Sequence, residues 1–198
     1  MFTMKKFAIL ATVGFIAFTT ISCSDDKDDS DPQPTPLGEG WTNKGSAKLG
    51  GASNADLGSF LDVDAIKVYK SSEAAAAKNE IDLVFDGSNF LTPEGCVATS
   101  NALCGEKLAG FDEETAAILI DVSAINDITA TSTPNDIQAY NLVHQAELEA
   151  KVVTAVQAKA GGKFLMFTTK DNLALVVVNS DLSTTSVTLS LGTIPLPE

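Results

Sequence analysis

Hydrophobic and polar positions divide the chain into an apolar leader, a polar stretch and a folded part that begins near Trp41. Residues 44–49 fit a first strand, broken by Gly50-Gly51. Residues 60–63 and 66–69 alternate at period two, the spacing of a half-buried strand. Residues 71–79 predict a short helix: serines at the start, Glu73 at the positive end, four alanines, and Lys78 at the negative end. The run Ile81-Asp82-Leu83-Val84-Phe85 fits a buried strand. Strand, helix and strand at this spacing predict a small parallel crossover unit.

Residues 86–110 read as irregular, with turns at Asp86-Gly87-Ser88-Asn89 and Thr92-Pro93-Glu94-Gly95. Segment 115–122 fits either a helix started by Asp112 or a strand over Ala117-Ile118-Leu119-Ile120. Thr133-Pro134-Asn135-Asp136 is a helix start, and the helical pattern runs toward Ala160, with a break near Glu149, before Gly161-Gly162 stops it. Its expected inner stripe is Ile137, Tyr140, Val143 (or Leu142) and Ala146. Residues 164–168, 173–179 and 186–191 predict an antiparallel meander. The expected fold is one mixed α+β domain over residues 41–198, with a strand-helix-strand unit, one or two longer helices and a C-terminal meander.

The N-terminus carries an address. Lys5 and Lys6 precede fifteen uncharged residues, 7–21. A helix of that length rises about 22 Å, short of the roughly 30 Å hydrocarbon core. A cleaved signal peptide over residues 1–22 therefore fits better than a spanning anchor. The run ends in Thr20-Ile21-Ser22-Cys23, which resembles the lipobox of bacterial lipoproteins, with Thr20 where that family prefers leucine. The resemblance implies cleavage before Cys23 and lipid attachment to its thiol. Residues 24–31 then hold five aspartates and one lysine, and Pro32-Gln33-Pro34-Thr35-Pro36 makes a stiff spacer, so residues 23–40 read as a tether. The arrangement resembles lipoproteins of the Bacteroidota, in which an acidic stretch after the lipidated cysteine directs export to the cell surface. It implies an outer-membrane, surface-exposed location. A calcium loop fits this stretch poorly, because the turn glycine and final glutamate are missing.

Composition narrows the chemistry. Of the 198 residues 44% are hydrophobic, enough for a sizeable core, and the formal charge is −13. All thirteen basic residues are lysines. An acidic chain without arginine argues against nucleic acid as a partner. The tether is acidic as well, so acyl chains, not a polybasic patch, must hold the protein on a membrane.

Three groups of residues merit weighing as sites. Cys96 and Cys104 are the thiols left once Cys23 carries lipid, and an exported protein permits a disulfide between them. The i, i+3 pair His144 and Glu147 gives two ligands on one helix face, too few for a metal site. Asp62, Asp64, Asp82, Asp86, Glu94 and Glu106 lie near strand ends or loops and are the raw material for a carboxylate pair. Such a pair is the enzymatic route the composition leaves open: a small glycoside hydrolase. No residue pattern points to a cofactor.

Residues 58–85 and 163–179 also resemble a group of uncharacterised Bacteroidota lipoproteins, which share a "VY…EA…IDLVF" front and an aromatic-threonine hairpin. That resemblance implies lineage and one undivided domain. The resulting expectation is a lipid-anchored surface protein with a non-catalytic binding or structural role, reaching the membrane through its lipid and accompanying an outer-membrane uptake or adhesion complex. A fimbrial-type subunit would need a mostly β domain, against which the two predicted long helical segments speak.

Overall fold

The computed structural model describes residues 34–54, 56–112 and 116–196. The signal segment, Cys23 and the acidic run lie outside the described residues.

Two antiparallel sheets face each other. The first has the strand order β1-β11-β10-β9-β6-β7, built from β1 (Asn43–Gly50), β6 (Ile118–Asp121), β7 (Val152–Val153), β9 (Lys163–Phe167), β10 (Asn172–Val178) and β11 (Ser186–Pro195). The second has the order β3-β2-β4-β5-β8, from β2 (Phe60–Asp62), β3 (Lys67–Tyr69), β4 (Leu83–Phe85), β5 (Asn89–Leu91) and β8 (Ala155–Gln157). The fold is mixed but sheet-dominated.

Strand periodicity explains the layering. In β9, Phe164 and Met166 face the second sheet, while Leu165 and Phe167 face outward. In β10, Ala174, Val176 and Val178 face inward, and Leu173, Leu175 and Val177 outward. Both faces are buried, which is why these strands read as unbroken apolar runs. Between the sheets, these residues meet Leu61, Val63, Leu83, Phe85 and Phe90. Phe90 packs between Phe85 and Phe164 with tilted rings, their centroids 5.1 and 5.3 Å away.

The outer face of the first sheet is covered by helix α2 (Pro134–Glu149) through Ile137 and Leu148, together with Ile125, Ile128 and Trp41. Thr133 caps that helix in a reciprocal box with Asp136, as the sequence predicts. The outer face of the second sheet is covered by residues 70–80 and by helix α1 (Pro93–Ala98) with its following turns.

Five sequence expectations are corrected. Residues 86–110, read as irregular, hold β5 and helix α1, and the expected turn at 92–95 is the capped start of that helix. Residues 71–79 form successive turns, not a helix; tertiary packing overrides the local alanine propensity. Their Ala74 and Ala77 still pack against Phe60 and Val84. The chain does cross over the sheet here, but β2 lies between β3 and β4 and pairs antiparallel with both, so no adjacent parallel pair forms. The helical pattern toward Ala160 ends at Glu149, because β-branched Val152, Val153, Thr154 and Val156 favour strands. There, β7 joins the first sheet and β8 the second, so one short segment ties the two together along one side. The inner stripe of α2 is Pro134, Ile137, Asn141 and Leu148; Leu142 and Val143 are 62% and 76% exposed and Ala146 is exposed. Segment 115–122 resolves in favour of strand, as β6. The C-terminal meander forms as expected, β9 to β10 to β11. The objection to a mostly β domain loses its second helix.

The structure brings Cys96 and Cys104 to disulfide distance, with Cα atoms 5.8 Å apart and both side chains fully buried in the layer over Phe60. Replacing both with alanine should lower stability by about 2–3 kcal/mol, the value of so short a ring in the chain-entropy model. Urea unfolding with and without reductant checks this: the reductant should shift the natural protein and leave the double variant unmoved.

Candidate functional site

The carboxylates of the sequence scatter, except for three. Asp62 ends β2, and Asp64 lies two residues on, in the turn that leads into β3. Asp82 immediately precedes β4, the antiparallel neighbour of β2. One oxygen from each of Asp62, Asp64 and Asp82 lies within 4.8 Å of the others; among the described residues no other group of three acids, histidines or cysteines gathers this way. That spacing would suit a bound cation.

The partners of these acids show what the cluster does. Asp82 is completely buried. Its Oδ2 accepts from the backbone N–H of Val63 at 2.8 Å, and its Oδ1 from that of Thr169 at 2.6 Å. Val63 belongs to the second sheet's side and Thr169 to the β9–β10 hairpin of the first, so this carboxylate ties the two sheets together. Asp62 accepts from the Ala65 N–H at 2.9 Å and pairs with the Lys170 ammonium at 3.0 Å. Asp64 Oδ1 accepts from Asn172 Nδ2 at 2.7 Å, and its carbonyl from Asn43 Nδ2 at 2.7 Å. Asp64 Oδ2 and Thr169 Oγ1 are buried without a hydrogen-bond partner.

Three acids thus face one lysine. Burial is the largest influence on Asp82 and pushes its pKa up to about 7; the negative charges of Asp64 and Asp62 push the same way, against the two amide donors. Burial lowers the pKa of Lys170, but the hydrogen bond and charge of Asp62, with Asp64 and Asp82 behind it, raise it overall.

The other candidates remain apart. Asp86 organises its own turn, accepting from Ser88 and Asn89 amides and from Asn101 Nδ2. Glu94 and Glu106 are exposed, each in the first turn of a short helix. His144 and Glu147 do approach, at 3.6 Å, but Glu147 also accepts from the Tyr140 hydroxyl at 2.9 Å and the imidazole stacks on the Tyr140 ring. Among the described residues nothing joins them as a third ligand. A glycosidase places its two carboxyls about 5–10 Å apart across a sugar cleft. The Asp62–Asp64–Asp82 group is tighter, and most of its oxygens hold backbone amides or neighbouring side chains.

Sequence reasoning named all three acids but not their partners on residues 169–172. An aspartate in second place of the apolar run 81–85 and two more spaced by two were the available signal; the hairpin that meets them lies 87 positions from Asp82. Comparison with protein-family models, curated proteins and solved structures finds no match to this chain.

The raised pKa of Asp82 predicts a pH dependence. The folded protein holds this proton more tightly than the unfolded chain, whose aspartate titrates near 3.8. The contribution of Asp82 is therefore fully present below about pH 4, falls as pH rises, and is lost above about pH 7, a total on the order of 4 kcal/mol. Asp82→Asn should lose this slope: its urea midpoint, followed from pH 4 to 8, should flatten relative to the natural protein even though one amide is left poorly paired.

Proposed function

We propose that this chain is a lipid-anchored cell-surface protein with a non-catalytic binding or structural role. The observation that carries the reading is the ordered N-terminal series: a charge-free run ending in Cys23, five aspartates within eight residues, then a proline-rich spacer leading into the folded domain. The domain supports it from a different direction. No described helix is long and apolar enough to cross a membrane. The clustered acids of the domain hold its sheets together instead of lining a cleft. Attachment is to the outer membrane, with the domain outside, in company with an uptake or adhesion complex.

A second reading, a subunit of a surface polymer, gains from the sheet-dominated fold. Strand β1 sits at a sheet edge, pairs along all eight residues with β11, and contributes Ala47 and Leu49 to the core. Denaturant-resistant ladders of the chain at the cell surface would favour it over a solitary anchored domain.

Cys23→Ser should release the protein from membranes. Fractionation with intact-mass measurement reads this out, and a substituted protein that still sediments as a processed chain would remove the main support. Replacing Asp25, Asp26, Asp28 and Asp29 with alanine should keep the acyl mass but protect the domain from protease added to whole cells. Equal cleavage of both versions would show that the acidic run does not direct display.

A further inference from the structure

The segment entering β1 is laid onto the domain. Thr35 and Leu37 are half-buried, while Pro34 and Pro36 are exposed, an alternation at period two. The Thr35 N–H donates to Asn179 Oδ1 at 3.2 Å, an oxygen that also accepts from the Ser190 hydroxyl at 3.2 Å. Leu37 packs with the outer layer of the first sheet. Gly192 makes room for it: a Cβ there would lie 3.0 Å from Leu37 Cδ1 and 2.8 Å from Trp41 Cγ. The Gly38 N–H donates to the Ala130 carbonyl at 3.4 Å, and Trp41 Nε1 to that of Ser132 at 3.1 Å.

These contacts have a direction. Thr35 sits beside Ser190, Leu37 and Trp41 beside Gly192, and Asn43 opposite Thr193. The chain therefore travels along the outer face of β11 toward its C-terminal end, then reverses into β1, which runs back to Gly50 opposite Ser186. Upstream of Thr35 the path leads toward the end of the sandwich that holds residues 51–54, 56–58, 86–88 and 179–185. The opposite end holds residues 63–66, 130–133 and the hairpin 168–172.

We infer that residues 35–41 are a strap that sets the polarity of the domain on the membrane, turning the 179–185 end toward the bilayer and the 168–172 end outward. This rests on the reading of Cys23 as the anchor. Ten residues separate Cys23 from Pro34, a reach of at most about 35 Å. Thr35 lies beside Ser190, and the outward end lies three to five strand residues further on, so bringing that end to the bilayer would require the tether to double back over about 10–17 Å, up to half of that reach. A partner outside the cell meets the end carrying Ala65, Lys170 and Asn172 first.

The test separates polarity from acylation. The chain from residue 24 onward, with an oligohistidine tag in place of residues 1–23, is held on phosphatidylcholine vesicles containing nickel-chelating lipid and an acceptor-dye lipid. A donor dye is placed on Thr184→Cys or on Ala65→Cys, two exposed positions at opposite ends. Energy transfer to the bilayer should be at least about twofold stronger from position 184, given the strand-length separation of the two ends. Equal transfer, or stronger transfer from position 65, overturns the proposal. Asn179→Ala combined with Leu37→Ser should shrink the difference by loosening the strap. A long Gly-Ser insert between residues 33 and 34 leaves the strap and fold intact and should bring the two signals toward equality; an undiminished difference with that insert would show that something other than the strap sets polarity. Because the tag replaces the lipid, a failure here is distinct from a failure of the Cys23→Ser fractionation.

Discussion

Burial of both faces of the central strands is the constraint from which the rest of this structure follows. Strands β9 and β10 place alternate side chains in two separate cores, so neither face can meet water. One face requires a second sheet and the other a cover. The cover is assembled from unrelated pieces: helix α2, residues 122–130, and the chain entering β1. The second sheet has the same requirement on its outer face and meets it more economically, with alanine-rich turns and the Cys96–Cys104 segment. The result is four layers from a chain of modest length.

Such a sandwich must also be prevented from sliding, and polar contacts between its sheets serve that end. Residues 152–157 contribute a strand to each sheet. At one end, Asp82 accepts one amide from each side, and Asp62 and Asp64 add Lys170 and Asn172. These are directional bonds in a region where apolar contact alone would allow many registers. Their cost is the burial of Asp82, to which the charges of Asp64 and Asp62 add, and it shows in the raised affinity of Asp82 for its proton. A site built this way is better suited to holding two sheets in place than to turning over a substrate.

The strap carries the same logic to the N-terminus. A small-residue track on β11, Ser190 and Gly192, accepts a segment that sequence alone assigns to a solvated spacer. Pro36 still suits that segment, because it lacks a backbone donor and its neighbours Thr35 and Leu37 make the contacts. Residues 35–38 thereby belong to the domain, although their composition reads as part of the tether.

The amino-acid sequence by itself determined the local elements whose signals are local. The capping box at Thr133 and the apolar runs of the C-terminal meander both depend on neighbours within a few positions. It also named the acids that cluster and the cysteines that meet. Only the tertiary structure decided which strands pair: β2 lies between β3 and β4, although the chain offers a plausible crossover there. Residues 152–157 carry a local strand signal in their β-branched side chains, but only the tertiary structure sent one half to β6 of the first sheet and the other to β5 of the second. And only it joined Asp82 to Thr169, since a contact 87 positions apart is set by how two sheets stack, and no periodicity along a chain encodes that.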